Sequence, residues 1–494
     1  MGIHTEREKM KTGKEYKESL QKMKPNIYKF GELIKDVTTH PATKRTIEGH
    51  AQIFDASLKD EYKDILTTKS SLTDNRISRY LSIIKSAEDM IANVRMKRLM
   101  FNLTGTCTGG RCAGFNALNS MWATTFDMDN EIGTDYHKRF KDWLKKAQEY
   151  DITLSGALTD PKGNRSKSPS SQKDPDLNLH LVKKKENGII VRGAKIMICG
   201  IAAANEIFVM PGTGYKEGDK NYAISFVIPR DIENLTIVET RRPSDTRELE
   251  NGFDIPVDIG GITQAYLLFE DVFIPNERVF MCGEYDYSIK AVMNFIAPYR
   301  AAIGGCVAGQ GDVMIGAAAL MARANGLSEK VFREKITQMI INNETTFGMG
   351  IASGVLGKKH PSGVWIPDQL LSNVNKVHVA QLPYETKRIT QDIAGGIAET
   401  GCLPSCKDIN DPKYGKLLKK YLEANCSGET RAKIARLIEW LTLGAGVPGC
   451  MHGGGSPDGA KLVINAKTDV DYYIKLAKRL ANISEDIFVE TKKK

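Results

Sequence analysis

Helical periodicity fills roughly the first 150 residues of this chain, stops, and resumes at about residue 286. The stretch between follows a different rule. Short apolar runs there end at proline: EIFVMP, YAISFVIP and AYLLFEDVFIP. Proline has no N–H to give a sheet ladder, so such runs read as strands that stop where the proline stands. LHLVKKKENGIIVRGAK reads as two strands joined by a Glu-Asn-Gly turn. A helix–strand–helix order limits the architecture to an α+β chain. The expected parts are an N-terminal α domain over 1–150, a mostly antiparallel β domain over 151–285 and a C-terminal helical bundle over 286–494.

The helical zones carry their own evidence. RYLSIIKSAEDMIANVRMKRLM, Arg79 to Met100, has apolar residues at three- and four-residue spacing and predicts one amphipathic helix. Tyr136 to Tyr150 repeats that pattern with Phe140, Trp143, Leu144 and Ala147. Later patterns cover Lys290 to Ala324, Lys330 to Gly348, Gln369 to Gly395, Ala432 to Leu443 and Gly459 to Ile483. With 494 residues, 41% of them hydrophobic, the chain has more than one small core needs. No internal repeat or low-complexity linker interrupts it.

Net charge is +9, and the basic residues are spread out apart from Lys183-Lys184-Lys185 and the last three lysines. That balance matches solvated lysines, and would also suit a phosphate-bearing substrate. Nothing resembles a nucleic-acid module. The longest apolar region, Ile303 to Met321, is broken by Gln310 and Asp312, so no membrane span is expected. The first residues lack the apolar run of a secretory signal, and a cytoplasmic location follows as an expectation. The nine cysteines then read mostly as free thiols rather than a disulfide framework.

Four motifs carry chemistry. ALTDPKGNR, Ala157 to Arg165, is turn-rich; it is either a surface turn or a loop whose Thr159, Lys162 and Arg165 meet a ligand. QDIAGGI, Gln391 to Ile397, holds Gly395 and Gly396, which suit a helix end or close backbone approach to a ligand. MHGGGSP, Met451 to Pro457, offers exposed N–H groups and His452, which is either structural or faces a cofactor. CTGGRC pairs Cys107 with Cys112 at a spacing where two thiolates can share a metal or cluster. Cys306 stands in IGGCVAG on a long helical pattern. Cys402 and Cys406 form another close pair, read as structural.

Taken in order, LTTKSSL, ALTDPKGNR, SQKDPDL, VRGAK, DVFIPNERVF, QDIAGGI and MHGGGSP resemble the 4-hydroxyphenylacetate 3-hydroxylase family, in its 4-hydroxybutyryl-CoA dehydratase branch. The resemblance runs over nearly the whole chain. It implies an acyl-CoA-dehydrogenase-like fold, FAD, a homotetramer and, in that branch, a [4Fe–4S] cluster beside the flavin. The metal ligands it implies are Cys107, Cys112 and Cys306. The flavin and substrate contacts it implies are Thr159, Lys162, Arg165, Cys199, Gly395 and Gly396. It places Tyr299, Gln264 and His452 at the catalytic centre.

Departures from the branch are concentrated there. Four residues separate Cys107 from Cys112 where the branch has three. Tyr299 stands at the position of a ligating histidine. Gln264 and Gly449 replace two glutamates, Val307 a lysine and Ile303 a tyrosine. Cys199 lies at or beside a threonine. Glutamine and glycine cannot hold a proton for general acid–base work. Cys199 and Cys450 are either small fillers of the altered cavity or added thiol ligands. The implied activity is a flavin-dependent enzyme acting on an acyl-CoA, as a dehydratase, double-bond isomerase or CH–CH oxidoreductase. The alternatives are a reduced-flavin-dependent aromatic hydroxylase and a non-catalytic paralogue.

Overall fold

The computed structural model describes residues 10–107, 109–242, 245, 252–253, 261–443 and 451–485. Gly449 and Cys450 lie outside the described residues. The chain mixes helix and sheet; besides the pattern Gly459–Ile483, which divides into Pro457–Lys467 and Val470–Leu480, two departures from the sequence reading follow from local chemistry.

The first difference concerns residues 79–100. They do not form one helix. Arg79–Leu81 is a single 3-10 turn, and the α-helix begins later, at Ala87–Thr104. Ser86 is extended and caps that helix by accepting from the Asp89 N–H at 3.3 Å. The intervening Ile83 and Ile84 are buried, and the Ile84 N–H donates to Asn119 Oδ1 at 2.8 Å. The second difference is the pattern from Gln369 to Gly395. It divides into Gln369–Val379 and Leu382–Ala394. Pro383 has no N–H for a continuous helix, so it falls in the first turn of a new one.

Two sheets form the middle of the molecule. The larger has six strands in the order Glu32–Ile34, Ile27–Lys29, Leu235–Glu239, Gln264–Pro275, Gly188–Cys199, His180–Lys185. The smaller runs Val279–Cys282, Ile224–Pro229, Glu206–Val209, Leu154–Ala157. Pairing is antiparallel except for Ile27–Lys29 on Leu235–Glu239 and Leu154–Ala157 on Glu206–Val209. The hairpin foreseen at Glu-Asn-Gly is present, with Lys185 opposite Gly188. The strand pair 27–34 comes from the helix-rich beginning of the chain and extends the large sheet. Both sheets share one core, in which Phe226 and Phe269 stand edge to face at 6.3 Å.

The helix Ser288–Ala324 organises the rest. It is long and apolar enough to cross a membrane by length and composition, yet most of it is packed inside the protein. Helices Ala87–Thr104, Gly110–Ile132 and Arg333–Val355 pack against it. Met90, Val94, Met100, Phe115, Ala301 and Ala302 fill that junction together with Cys112.

Candidate active site

Gly109 and Gly110 build the centre of the site. Gly109 has φ +29, a region that L side chains avoid, and it leads into the helix Gly110–Ile132. Its N–H donates to Cys107 Sγ at 3.2 Å, and its carbonyl accepts from Cys112 Sγ at 3.1 Å. A Cβ on Gly109 would lie 3.1 Å from the Cβ of Cys199, and one on Gly110 would lie 2.7 Å from the Cys199 carbonyl oxygen. These glycines therefore let the end of the strand Gly188–Cys199 reach the two thiols.

Cys306 and Tyr299 come from Ser288–Ala324. Cys107 exchanges side-chain hydrogen bonds with Cys112 and Cys306. The bond with Cys112 lowers the Cys107 pKa; the bond with Cys306, together with burial, outweighs it and holds the thiol well above its ordinary value. Cys112 is pushed well up by its bond with Cys107 and by burial. Burial raises Cys199, against a hydrogen bond from Gln264 Nε2 to Cys199 Sγ at 3.3 Å. Tyr299 is raised well above the usual phenol value, first by burial and then by Cys112, Cys107, Cys199 and Cys306. One phenol and four thiols thus stand together, Cys112 buried and the other four half-buried.

Two cations lie beside them. Lys97 is 2% exposed, and its Nζ has no hydrogen-bond partner among the described residues. It stands 4.5 Å over the Tyr80 ring. Burial lowers its pKa, but Tyr80, Cys112, Cys306 and Cys107 outweigh that and raise it, so the ammonium stays charged. Arg111 is sandwiched between Phe54 at 4.7 Å and Tyr80 at 4.5 Å. Its Nη2 donates to Ser78 Oγ at 3.2 Å, while Nε and Nη1 have no partner. Sequence reading missed both cations. A signal was available for Lys97, because Met90, Val94, Lys97 and Phe101 make one helical stripe and all four are buried.

The MHGGGSP loop abuts this site. A Cβ on Gly454 would lie 2.7 Å from Tyr299 Cδ1. Arg300 Nε donates to the Gly454 carbonyl at 3.0 Å, and Lys376 Nζ donates to the carbonyls of Met451 at 2.8 Å and Gly453 at 2.5 Å. Two cations thus fix the loop, and His452 is exposed on it. Ser456 caps the helix Pro457–Lys467.

The remaining residues sit elsewhere. Thr159 is half-buried, while Lys162 and Arg165 extend into solvent. Asp160 anchors their loop through a buried ion pair with Lys195 at 2.7 Å, joining ALTDPKGNR to VRGAK. Gly395, at φ +76, separates Leu382–Ala394 from Gly396–Glu399, and nothing lies within 4 Å of a Cβ on Gly395 or Gly396. That backbone is open to a ligand. Cys406 is buried, Cys402 is exposed, and the eight cysteines among the described residues are all free.

Comparison with known proteins decides the family. Models for the 4-hydroxyphenylacetate 3-hydroxylase N-terminal and C-terminal regions match residues 12–281 and 289–482. The chain belongs to the 4-hydroxyphenylacetate 3-hydroxylase family. It is 38% identical over 491 residues to the 4-hydroxybutyryl-CoA dehydratase/vinylacetyl-CoA-Δ-isomerase of Clostridium aminobutyricum, covering 96% of this chain and 99% of that one. The oxygen-tolerant archaeal 4-hydroxybutyryl-CoA dehydratase from N. maritimus superimposes with TM-score 0.93 at 39% identity, covering 98% of each chain. The oxygenase component of 4-hydroxyphenylacetate 3-monooxygenase, solved with FAD and 4-hydroxyphenylacetate, gives TM-score 0.81 at 24% identity over 96% of this chain and 99% of that one. Butyryl-CoA dehydrogenase from Megasphaera elsdenii shares the fold alone, with TM-score 0.50 and 13% identity over 94% and 99% of the two chains. The acyl-CoA-dehydrogenase-like architecture expected for this family member is therefore present.

Proposed function

We propose that this protein is a flavin-dependent enzyme acting on an acyl-CoA, close to 4-hydroxybutyryl-CoA dehydratase in architecture and altered in its proton-handling groups. The observation that carries this reading is a family-specific thiol set, Cys107, Cys112 and Cys306, gathered round an orphaned ammonium in a chain of whole-length dehydratase likeness.

FAD suits the open backbone at Gly395 and Gly396 and the exposed cations Lys162 and Arg165, which match a diphosphate. Thr159 is the flavin-side contact, and Cys199 stands with the other thiols. Bound flavin would supply hydride or electron chemistry next to the thioester. A [4Fe–4S] cluster suits the donor set: sulfur ligands beside a buried cation that has no carboxylate of its own. Among the described residues no three His, Cys, Asp or Glu side chains stand at the spacing of a single metal ion. The sulfurs meet instead as hydrogen-bonded thiols. Cys107, Cys112 and Cys306 are the residues that would hold the group, which supplies one-electron chemistry and Lewis acidity.

The chain's own residues do the rest. Tyr299 keeps its phenolic proton and presents it to the thiols. Gln264 binds Cys199 Sγ and holds no exchangeable charge. His452 lies exposed on the loop whose Gly454 abuts Tyr299. The protein assembles as a homotetramer in this reading.

The deciding experiment is anaerobic purification with flavin, iron and acid-labile sulfide counted per chain, followed by incubation with 4-hydroxybutyryl-CoA, vinylacetyl-CoA and crotonyl-CoA. Bound flavin with turnover or spectral perturbation by any of these thioesters is the expected result. Oxygen consumption with supplied reduced flavin and a phenol, with no thioester response, would replace it with the hydroxylase reading. No flavin and no thioester binding would leave a non-catalytic paralogue.

A further inference from the structure

The site gathers four sulfurs where the implied ligand set needs only three, and the fourth is the better donor than the phenol beside it. We propose that Cys199 supplies the fourth thiolate to a [4Fe–4S] cluster held by Cys107, Cys112 and Cys306, with Lys97 as its buried counter-cation and Tyr299 outside the ligand set. This rests on the functional reading above and sharpens its metal site.

Geometry makes the first argument. Gly109 ties three of the four cysteines together: its N–H reaches Cys107 Sγ, its carbonyl receives Cys112 Sγ, and a Cβ on it would lie 3.1 Å from the Cβ of Cys199. Cys306 closes the group from the opposite side through its hydrogen bond with Cys107. The four sulfurs thus come from the turn before a helix, the first turn of that helix, a strand end and a second helix. Ligands on separate rigid elements are pre-set for a group larger than one ion.

The second argument is the hydrogen bond from Gln264 Nε2 to Cys199 Sγ at 3.3 Å. An N–H aimed at sulfur stabilises a thiolate and tunes a bound cluster. A glutamate at 264 would be repelled by a thiolate at 199 once ionised; a glutamine is not. The two departures therefore fit one another as a pair.

Charge gives the third. Lys97 Nζ is fully buried, charged and without a hydrogen-bond partner among the described residues. Four neutral thiols would leave that charge uncompensated, which interiors avoid. Thiolates on iron balance it. Loading exchanges four S–H bonds for four S–Fe bonds and releases four protons to solvent. Tyr299, by contrast, hydrogen-bonds the Cys112 side chain. It serves as a donor to sulfur rather than an oxygen ligand, and soft iron–sulfur chemistry prefers thiolates.

The test uses the full chain, reconstituted anaerobically with ferrous iron and sulfide. Iron, sulfide and zinc are counted, flavin is measured as the control for folding, and the reduced protein is examined by electron paramagnetic resonance. The wild type is expected to carry about four irons, the content of one cubane. Cys199→Ala is expected to lose at least one iron and change the signal while keeping flavin; Cys199→Ser is the second variant if alanine fails to fold. Tyr299→Phe is expected to keep its iron. Gln264→Leu and Lys97→Met, which leave every sulfur in place, are expected to shift the cluster's reduction potential. Full iron and an unchanged signal in both Cys199 variants would overturn the proposal, as would iron loss in Tyr299→Phe alone. Zinc in place of iron would overturn the cluster. Flavin without any metal would remove this inference and leave the flavoenzyme reading standing, whereas absence of both would remove the two together.

Discussion

Glu239 ends the strand Leu235–Glu239 with both carboxylate oxygens buried. Burial raises its pKa from 4.5 to about 7, against the pull of Thr263, Lys29 and Arg242 and with a small push from Asp245. The folded state therefore prefers the protonated acid. As pH rises through 4.5 the unfolded chain ionises first, and stability falls until about pH 7. The loss is on the order of 3 kcal/mol. Glu239→Gln should remove it, so thermal unfolding should show the variant gaining on wild type at pH 8 and matching it near pH 4.5. An equal gain at both pH values would mean that ionisation is not the cause. His50 works in the other direction. Burial, helped by Arg111, lowers it from 6.5 to about 3, so its contribution is lost as pH falls through that window. His50→Gln should flatten the acid side of the same melting profile. Neither group stood out in the sequence. A lone Glu at a strand end and a lone His in a helix look the same whether they face water or core; the facing element decides. Within the site, spacing alone pairs only Cys107 with Cys112; Cys199, Cys306 and Tyr299 were legible through the family resemblance, which marks their positions.

Helix Ser288–Ala324 shows what glycine does at the level of an element. A Cβ on Gly305 would lie 2.1 Å from the Val94 carbonyl oxygen and 3.1 Å from the Lys97 Cβ, and one on Gly304 would lie 2.2 Å from the Thr346 carbonyl. The helix thus lies backbone to backbone against Ala87–Thr104 and Arg333–Val355. Arg98 clamps the same three helices, donating to Asp312 from Nε at 2.8 Å and Nη2 at 2.6 Å, and to Glu344 from Nη2 at 2.6 Å. Gly305→Ala has to displace the helix that carries Lys97. It should cost about 1–3 kcal/mol by overpacking and weaken retention of any group at the thiols. Gly316→Ala, on the same helix with nothing within 4 Å, should instead stabilise by roughly 0.5–1 kcal/mol. Denaturant titration of the two variants checks the contrast, and equal effects would mean that the close approach is not limiting. At this scale the sequence was read well wherever apolar spacing alone sets the element, as in Tyr136–Glu149 and Ser288–Ala324. It was misread where a cap or a proline overrides spacing, at Ser86 and Pro383. The pair 27–34 was not foreseen because strands of three residues carry too few positions to show a period.

At the scale of the whole molecule, one amphipathic helix buries no residue against the described residues. Helix Val470–Leu480 buries none of its residues. Val470, Tyr473, Ile474 and Leu480 are 61%, 54%, 49% and 82% exposed, and their spacing puts them on one stripe. Contiguous apolar surface of this kind is uncommon on a monomer and marks an interface. Its polar face carries Lys475, Lys478 and Arg479, so an electrostatic clamp on this chain's like-charged body, net charge +9, does not explain it; apolar burial against another copy does. If the proposed homotetramer forms through this stripe, replacing Ile474 and Leu480 by Glu should reduce the mass measured by light scattering. The circular dichroism of each subunit should stay unchanged, because the helix contributes nothing to the subunit's own core. If Gly395 and Gly396 meet a flavin whose binding depends on a neighbouring subunit, flavin content should fall in step with mass. Loss of flavin at full mass would place the defect within the subunit, and retained flavin at reduced mass would show that one chain holds the cofactor alone.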